Sequence, residues 1–572
     1  MKVVKNEMDY RNKPWRKSYA PGVPEAIGFE DRCLPDFLEC SARKFPDHTA
    51  LTFMGYTVSY RELNGMANGI ASALAGFGIR KGDSVAIILP NTVQCVAAYY
   101  GILKLGAIAV MNNPLYSDKE LEHQLKDSEA KAVIVIDLLA KRIIGLRPKT
   151  GVKQVIVASI GDYLPFPKSL LFPLVAKKKG LAADVPKLPE VYRWKDLLKG
   201  SGPEPARAAI GMDDIAQYQY TGGTTGVSKG VILTHGNLSR NVQQVASWFP
   251  SVKNAGEVML GALPFFHVFG LTVSMNYAIM KAWNIVLVPK PQAEQLIEAL
   301  EKFRPTFVPM VPTMYIGIIN NPKFGEMDLS HITGAFSGSA PLPVEVINKF
   351  EEKTGTVICE GFGMTESSPV THINPFAKGM PKPGSIGVPV PNVECRLVDI
   401  DDRSTDVPAG KPGELIIRGP QVMRGYKGMA DETKDTLRDG WLHTGDVAQM
   451  DDDGYFYIVD RIKDMIISGG YNVYPREIDE VLYSHPKVLE ACAVGVSHET
   501  RGEAVKAFIV PRPGVQVTEA EILDFCREKL ATYKLPVEVE FRNELPKSAV
   551  GKILRKELRA EELKKRKEEK VS

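Results

Sequence analysis

The sequence predicts an α/β protein, with a large N-terminal doubly wound α/β domain, a β-rich subdomain, and a small α+β C-terminal domain. Three observations predict it. Strand-like and helix-like segments alternate from residue 84 to residue 136, the pattern of parallel βαβ units. A stretch rich in Asp, Pro and Gly, residues 399–413, interrupts the pattern and leads into strands. A charged link, Asp460-Arg461-Ile462-Lys463-Asp464, then sets off a last α+β segment. At 572 residues the chain is too long for one core. The expected division is 1–461 and 462–572.

Taken in order, residues 34–43 carry apolar side chains at helical spacing, and 50–53 with 57–60 read as a hairpin. A helix over 60–77, a buried strand over 84–90, a helix over 92–105 and a strand over 107–111 follow. A polar helix spans 119–128, and Ala132-Val133-Ile134-Val135-Ile136 is another strand. Residues 161–180 combine large apolar residues, three prolines and Lys177-Lys178-Lys179. The prolines argue against a regular helix throughout. The stretch suits an anionic membrane surface or a hydrophobic loop packed on its own domain. Further strands are expected at 284–289, 306–311, 414–418 and 455–459, while 334–341 reads as a strand ending in a Gly/Ser turn and 356–366 as a strand running into a tight loop. In the last segment, helices are expected at 475–484 and 518–530, with strands at 488–496, 505–510 and 538–541. Residues 554–570 are charged and helix-compatible, and are read as a solvated tail.

Hydrophobic content of 44% and charged content of 24% describe an ordinary globular chain. With 71 Lys+Arg against 68 Asp+Glu, the net charge of +3 gives no electrostatic footprint for nucleic acid. The first ten residues lack the apolar core of a signal peptide, and the apolar run 95–111 is too short and too polar to span a bilayer. The seven cysteines form no C-x-x-C pair and read as reduced core residues. A cytoplasmic protein is expected.

The most informative stretch is Tyr218-Gln219-Tyr220-Thr221-Gly222-Gly223-Thr224-Thr225-Gly226-Val227-Ser228-Lys229-Gly230. Glycines let a turn present successive N–H groups to an anion, threonine hydroxyls add donors, and Lys229 adds charge. This is a phosphate loop, but the order of its lysine and hydroxyl residues is not that of a Walker loop. His267 stands among aromatics after a strand end, where ligands of α/β layers bind. Glu366 closes a tight loop after a strand and is a candidate Mg²⁺ ligand beside phosphates. Asp446, in Gly-Trp-Leu-His-Thr-Gly-Asp, has the chemistry to hold ribose hydroxyls.

Tyr-Thr-Gly-Gly-Thr-Thr-Gly-Val-Ser-Lys-Gly, Gly-Phe-Gly-Met-Thr-Glu, Gly-Trp-Leu-His-Thr-Gly-Asp, Asp-Arg-Ile-Lys-Asp and Pro-Lys-Ser-Ala-Val-Gly-Lys occur in that order. The chain thereby resembles the acyl-adenylate-forming superfamily, and within it bacterial long-chain fatty acyl-CoA synthetases, from about residue 30 to about residue 560. Ser228 departs from the proline many members carry there.

The resemblance implies ATP-dependent activation of a medium- to long-chain fatty acid to acyl-AMP, then transfer to coenzyme A. It implies Mg²⁺ on Thr221 and Glu366, and a phosphate grip from Thr224, Thr225, Gly226 and Lys229. Gly338, Glu360, Gly361 and Thr365 would wall the adenine and α-phosphate. Asp446 and Arg461 would hold the ribose, and Lys552 would bridge carboxylate and α-phosphate. Lys463 would be the hinge of a mobile small domain. Gly469 and Gly470 would line the pantetheine path. Val268, Leu271 and Gly361 would border the acyl chain, and His267 would abut the carboxylate. Peripheral membrane contact and a homodimer fit the same resemblance. A shorter or aromatic acid substrate, an acyl-AMP ligase without coenzyme A transfer, and a non-catalytic sensor are the alternatives. Retention of Lys552 and Glu366 speaks against the sensor.

Overall fold

The computed structural model describes residues 10–176, 180, 182–199, 208–221, 228–408, 410–498, 500–548 and 551–569. They fall into two compact units. One comprises Ser18–Glu394 and Arg418–Gly440; the other comprises Met1–Lys17, Cys395–Ile417 and Trp441–Ser572. The division expected at 461/462 lies inside the second unit.

The larger unit contains two sheets where the sequence predicts one layer. In the first, Ser84–Ile88 is flanked in parallel by Ile108–Met111 and Ala132–Ile136, and the ladder continues to Gln154–Ala158 and Val191–Arg193. On the other side Ile215–Thr221 pairs in parallel with Ile108–Met111 and antiparallel with Lys229–Thr234. Ser84–Ile88 and Ala132–Ile136 are buried at every position, as strands covered on both faces must be.

The second sheet runs in parallel through Ile358–Gly363, Gly334–Ser337, Phe307–Met310, Val258–Gly261, Asn284–Leu287 and Thr49–Phe53. The predicted hairpin is present, and its first strand joins this sheet beside Asn284–Leu287.

Every residue of the helix Val93–Lys104 is buried, which its apolar circumference requires. At Gly101 a Cβ would lie 2.8 Å from Ala67 O and from the Ile70 side chain, so only glycine lets this helix meet Tyr60–Gly76 so closely. Lys104, at its end, pairs with Glu39 at 2.8 Å. All seven cysteines are free thiols, six of them buried.

Part of the proline-bearing stretch is helical, at Lys168–Ala176, despite Pro173 within it. Pro165 and Pro167 precede the helix and do not interrupt it. Phe166 and Leu171 are exposed, whereas the Phe172 ring packs over Gly161. Lys177, Lys178 and Lys179 lie outside the described residues. Among the described residues, no helix is long and apolar enough to cross a membrane.

In the smaller unit, Gly413–Arg418, Trp441–Met450 and Phe456–Arg461 pair antiparallel. A second sheet joins Val488–His498, Gly502–Pro511, Pro536–Phe541 and the hairpin Ile466–Ser468/Tyr471–Val473. Helices Pro475–Tyr483 and Glu519–Arg527 cover one face through Ile478, Leu482, Ile522 and Cys526.

The expected solvated tail is a packed helix, Arg555–Glu569, on the other face. Leu558 is fully buried against Cys492, Val494, Val496, Phe508 and Val510. Glu562 meets the buried Lys506 at 2.9 Å. One leucine and the ion pairs of Arg555 with Asp479 and Glu562 with Lys506 anchor a helix whose sequence otherwise reads as solvated.

Candidate active site

In the larger unit the segment expected to hold phosphate lies, in sequence, between the strands of an antiparallel pair whose last register partners are Thr221 and Lys229. Thr224, Thr225 and Gly226 lie outside the described residues. The feet of the loop are held by one helix, Asp118–Asp127. The Tyr220 hydroxyl donates to Asp127 Oδ2 at 2.5 Å. Burial, and then the Asp127 carboxylate, raise the Tyr220 pKa, so the phenol remains a donor. On the other foot His123 Nε2 donates to Ser228 O at 3.1 Å, and Gln124 Nε2 donates to Ser228 Oγ at 3.3 Å. Asn112 Nδ2 in turn donates to Gln124 Oε1 at 2.5 Å. Ser228 thus ties this foot of the loop to the neighbouring helix through its hydroxyl.

Lys229 points along a line of functional groups the sequence does not reveal. Its ammonium lies 5.0 Å from the centre of the Tyr426 ring and forms an ion pair with Glu432. The Tyr426 hydroxyl donates to Glu366 Oε1 at 2.8 Å. Burial, then Glu366, raise the Tyr426 pKa and keep its proton in place. The short strand Gly425–Tyr426 pairs with Lys229–Thr234, which brings Tyr426 to the lysine. Gly425 has φ 148°, and a Cβ there would lie 2.7 Å from Thr433 Cγ2, so the position demands glycine.

Glu366 occupies the turn Thr365–Ser367 and is buried; its carbonyl accepts from Met423 N–H at 2.8 Å. Thr365 is half-buried in the same turn. The Glu360 carboxylate accepts from the Leu342 and Gly384 N–H groups at 3.0 and 3.3 Å. Gly338 and Gly361 come together: a Cβ on Gly338 would lie 3.2 Å from the Phe269 ring and 3.4 Å from Gly361 O. Beside them Ser337 Oγ is buried without a hydrogen-bond partner among the described residues.

In the aromatic segment His267 Nδ1 accepts from Phe269 N–H at 3.2 Å, and Gln219 Nε2 holds Phe266 O at 2.8 Å. Val268 and Leu271 are buried. Leu271 belongs to a π-helical stretch, Gly270–Asn276, a distortion common at functional sites. The Thr272 hydroxyl ties that stretch to Ser368 O at 2.7 Å.

In the smaller unit Asp446 and Arg461 are register partners, and Arg461 Nε donates to Asp446 Oδ1 at 2.8 Å. Asp446 Oδ2 is buried and has no partner among the described residues. The turn that carries Asp446 is braced by buried Glu414, which accepts from Arg403 Nε at 2.9 Å, His443 Nδ1 at 3.0 Å and Gly445 N–H at 3.2 Å. Burial alone would raise the Glu414 pKa; the bonds from His443 and Arg403 outweigh it and hold it at about 2.

Lys552 joins this group. The Arg461 guanidinium, followed by burial, lowers its pKa to about 8, while Asp446 and Asp464 pull upward. The Lys552 side chain is exposed, so the like charge is the cause with physical weight. Lys463 sits in the turn Ile462–Asp464, next to Arg461. Gly469 and Gly470, with φ 58° and 84°, form the two-residue turn of their hairpin, a conformation that selects glycine.

The structure therefore brings Thr221, Lys229 and Glu366 into one neighbourhood, Gly338 and Gly361 into a second, and Asp446, Arg461 and Lys552 into a third. It adds Tyr426, Glu432, His123, Gln124, Asp127 and Glu414. Of these, only His123 and Asp127 carried a local signal, their four-residue spacing on a polar helix.

An α/β unit that carries Thr221, Lys229 and Glu366 together, and a second unit with an aspartate, an arginine and a lysine together, suit an AMP-binding enzyme. Residues 38–427 match the AMP-binding enzyme family and residues 477–552 match the AMP-binding enzyme C-terminal domain; the chain belongs to this family. It is 44% identical over 552 residues to a long-chain-fatty-acid–CoA ligase of Bacillus subtilis, covering 96% of this chain and 98% of that protein. It is 41% identical over 557 residues to one of Escherichia coli O6:H1, with the same coverage of 96% and 98%. Among solved structures, an anthranilate CoA ligase in complex with anthranoyl-AMP superposes with TM-score 0.81 at 28% identity, over 97% of this chain and 99% of that one.

Proposed function

We propose that this protein activates medium- to long-chain fatty acids with ATP and transfers the acyl group to coenzyme A. The observation that carries this reading is the near-full-length likeness to two proteins named long-chain-fatty-acid–CoA ligase. In the first half-reaction a carboxylate oxygen attacks the α-phosphorus of ATP, the bond to the bridging oxygen breaks, and pyrophosphate leaves. In the second the coenzyme A thiol attacks the acyl carbon, AMP leaves, and the thiol proton passes to solvent.

The residues fit the substrates. Lys229 supplies a cation for the β/γ-phosphates, with Thr224, Thr225 and Gly226 completing the grip. Asp446 Oδ2, buried and without a partner among the described residues, accepts from a ribose hydroxyl, and Arg461 fixes the carboxylate's orientation. Glu366 and Thr221 offer the hard oxygens that Mg²⁺ takes beside phosphates. When bound, Mg²⁺ neutralises phosphate charge. Lys552, ammonium at neutral pH, places a positive charge where two anions must approach. Gly338, Glu360, Gly361 and Thr365 form the nucleotide wall. Gly469 and Gly470 line the pantetheine path, Val268, Leu271 and Gly361 border the acyl chain, and His267 abuts the carboxylate. Lys463 is the proposed pivot between residues 1–461 and 462–572.

Each buried methylene contributes about 0.8 kcal/mol, so a long chain gains affinity that acetate lacks. Exposed Phe166 and Leu171 support peripheral contact with a lipid surface. The test is kcat/KM for coenzyme A-dependent AMP release across a series from acetate to long-chain acids, with benzoate included. A rise with chain length is expected; a maximum at acetate or benzoate overturns the substrate reading.

A further inference from the structure

Glu432 is the one negative charge shown paired with the ammonium of Lys229 among the described residues. The Lys229 side chain is 11% exposed and that of Glu432 is 41% exposed, so the lysine is fixed in the site while the glutamate has a way out to solvent. Its position is built by the fold. Glu432 lies in the helix Ala430–Thr436, and Thr433 of that helix accepts from Tyr426 N–H at 2.9 Å and donates to Met429 O at 2.8 Å. The Tyr426 ring is the surface over which Lys229 lies. A carboxylate and a polyphosphate cannot both take the same ammonium without like-charge repulsion.

We infer that Glu432 is a displaceable counter-ion for the phosphate lysine. It neutralises Lys229 before ATP binds, yields it to the polyphosphate, and reclaims it as pyrophosphate leaves, which speeds that release. This rests on the reading of Lys229 as a phosphate ligand. No bond is made or broken; one anion replaces another. The partly exposed ion pair sets the scale, about a two- to fivefold change in affinity, equivalent to about 0.4–1 kcal/mol.

The experiment is equilibrium binding of magnesium pyrophosphate to the full-length enzyme without fatty acid. Glu432→Gln keeps the side-chain size and is expected to bind pyrophosphate about two- to fivefold tighter. Asp431→Asn, a neighbouring charge removal, is expected to leave affinity unchanged. Lys229→Met is expected to weaken binding, and adding Glu432→Gln to it is expected to change nothing further. Equal tightening by Asp431→Asn, or tightening by Glu432→Gln that persists without Lys229, would reduce the effect to general field and overturn the inference. Unchanged or weaker binding in Glu432→Gln, with binding lost in Lys229→Met, would overturn it while the phosphate reading stands. Wild-type binding in Lys229→Met would overturn both.

Discussion

Replacing Lys552 by alanine removes an ammonium beside the Asp446–Arg461 pair and leaves its loop anchored by backbone bonds. Ser548 N–H donates to Lys552 O at 2.8 Å, and Lys552 N–H donates to Ser548 Oγ at 3.2 Å. Neither bond uses the side chain, so the variant is expected to fold. Loss of one preorganised charge at a developing anionic centre costs about 2.7–4 kcal/mol, roughly a hundred- to a thousandfold in rate. Acyl-AMP formation, followed as pyrophosphate release without coenzyme A, is expected to fall by that factor. Thioester formation from presynthesised acyl-AMP is expected to be largely spared. The lowered pKa adds a second signature. With Lys552 titrating at about 8, the free enzyme loses its ammonium as pH rises through 8, and about a tenth remains at pH 9. In the wild type, kcat/KM for adenylation is expected to decline above pH 8, and in Lys552→Arg the decline is expected to disappear. Equal loss of both half-reactions in Lys552→Ala, or a declining limb that survives in Lys552→Arg, would refute the assignment.

Tyr426→Phe keeps the ring under Lys229 but removes the donor to buried Glu366; a hydrogen bond to a charged group is worth about 1.5–3 kcal/mol, so adenylation kcat/KM is expected to fall about ten- to a hundredfold, and an unchanged value would show that Glu366 needs no such orientation. Glu414 has a folded pKa of about 2 against an unfolded value near 4.3, so its stabilising contribution, about 3 kcal/mol, is fully present above the unfolded value and is lost as pH falls through about 2. Thermal unfolding of Glu414→Gln is expected to show a lowered Tm at pH 7, with the gap to wild type narrowing as pH approaches 3; a pH-independent gap would assign the effect to packing. Lys463→Pro fixes φ near −65° at the proposed pivot, so adenylation is expected to persist while coenzyme A transfer falls, and wild-type thioesterification would place the pivot elsewhere.

The alternation of elements in the larger unit is legible because each signal is local. Ser59 and Glu62 form the capping box that starts Tyr60–Gly76, and all-apolar runs such as Ala132–Ile136 are strands buried on two faces. Sheet membership is not local. Thr49–Phe53 pairs with Asn284–Leu287, more than two hundred residues later, and nothing in either strand names its partner. The same distinction separates the site residues. Lys229 and Glu366 stand in motifs whose composition betrays their chemistry. Tyr426 and Glu432 sit in a stretch without such composition and acquire meaning only when Gly425–Tyr426 is paired beside Lys229. Charge dominates the sequence of Arg555–Glu569, which reads as solvated, while Leu558 and a few long-range ion pairs, invisible in the sequence, decide its packing.

That helix also moors the lysine loop. Arg555, three residues past Lys552, donates to Asp479 Oδ2 at 2.8 Å and also to Ala493 O. Four residues further on, Arg559 reaches Glu503 at 2.6 Å. The loop is thus slung between the sheet and a clamped helix, and any tether, tag or truncation that peels the helix away acts at a distance of one turn from Lys552. A chain cut after Leu554 would also leave Val494, Val496, Phe508 and Val510 uncovered on a bare sheet face. Such a protein is expected to aggregate through that apolar face.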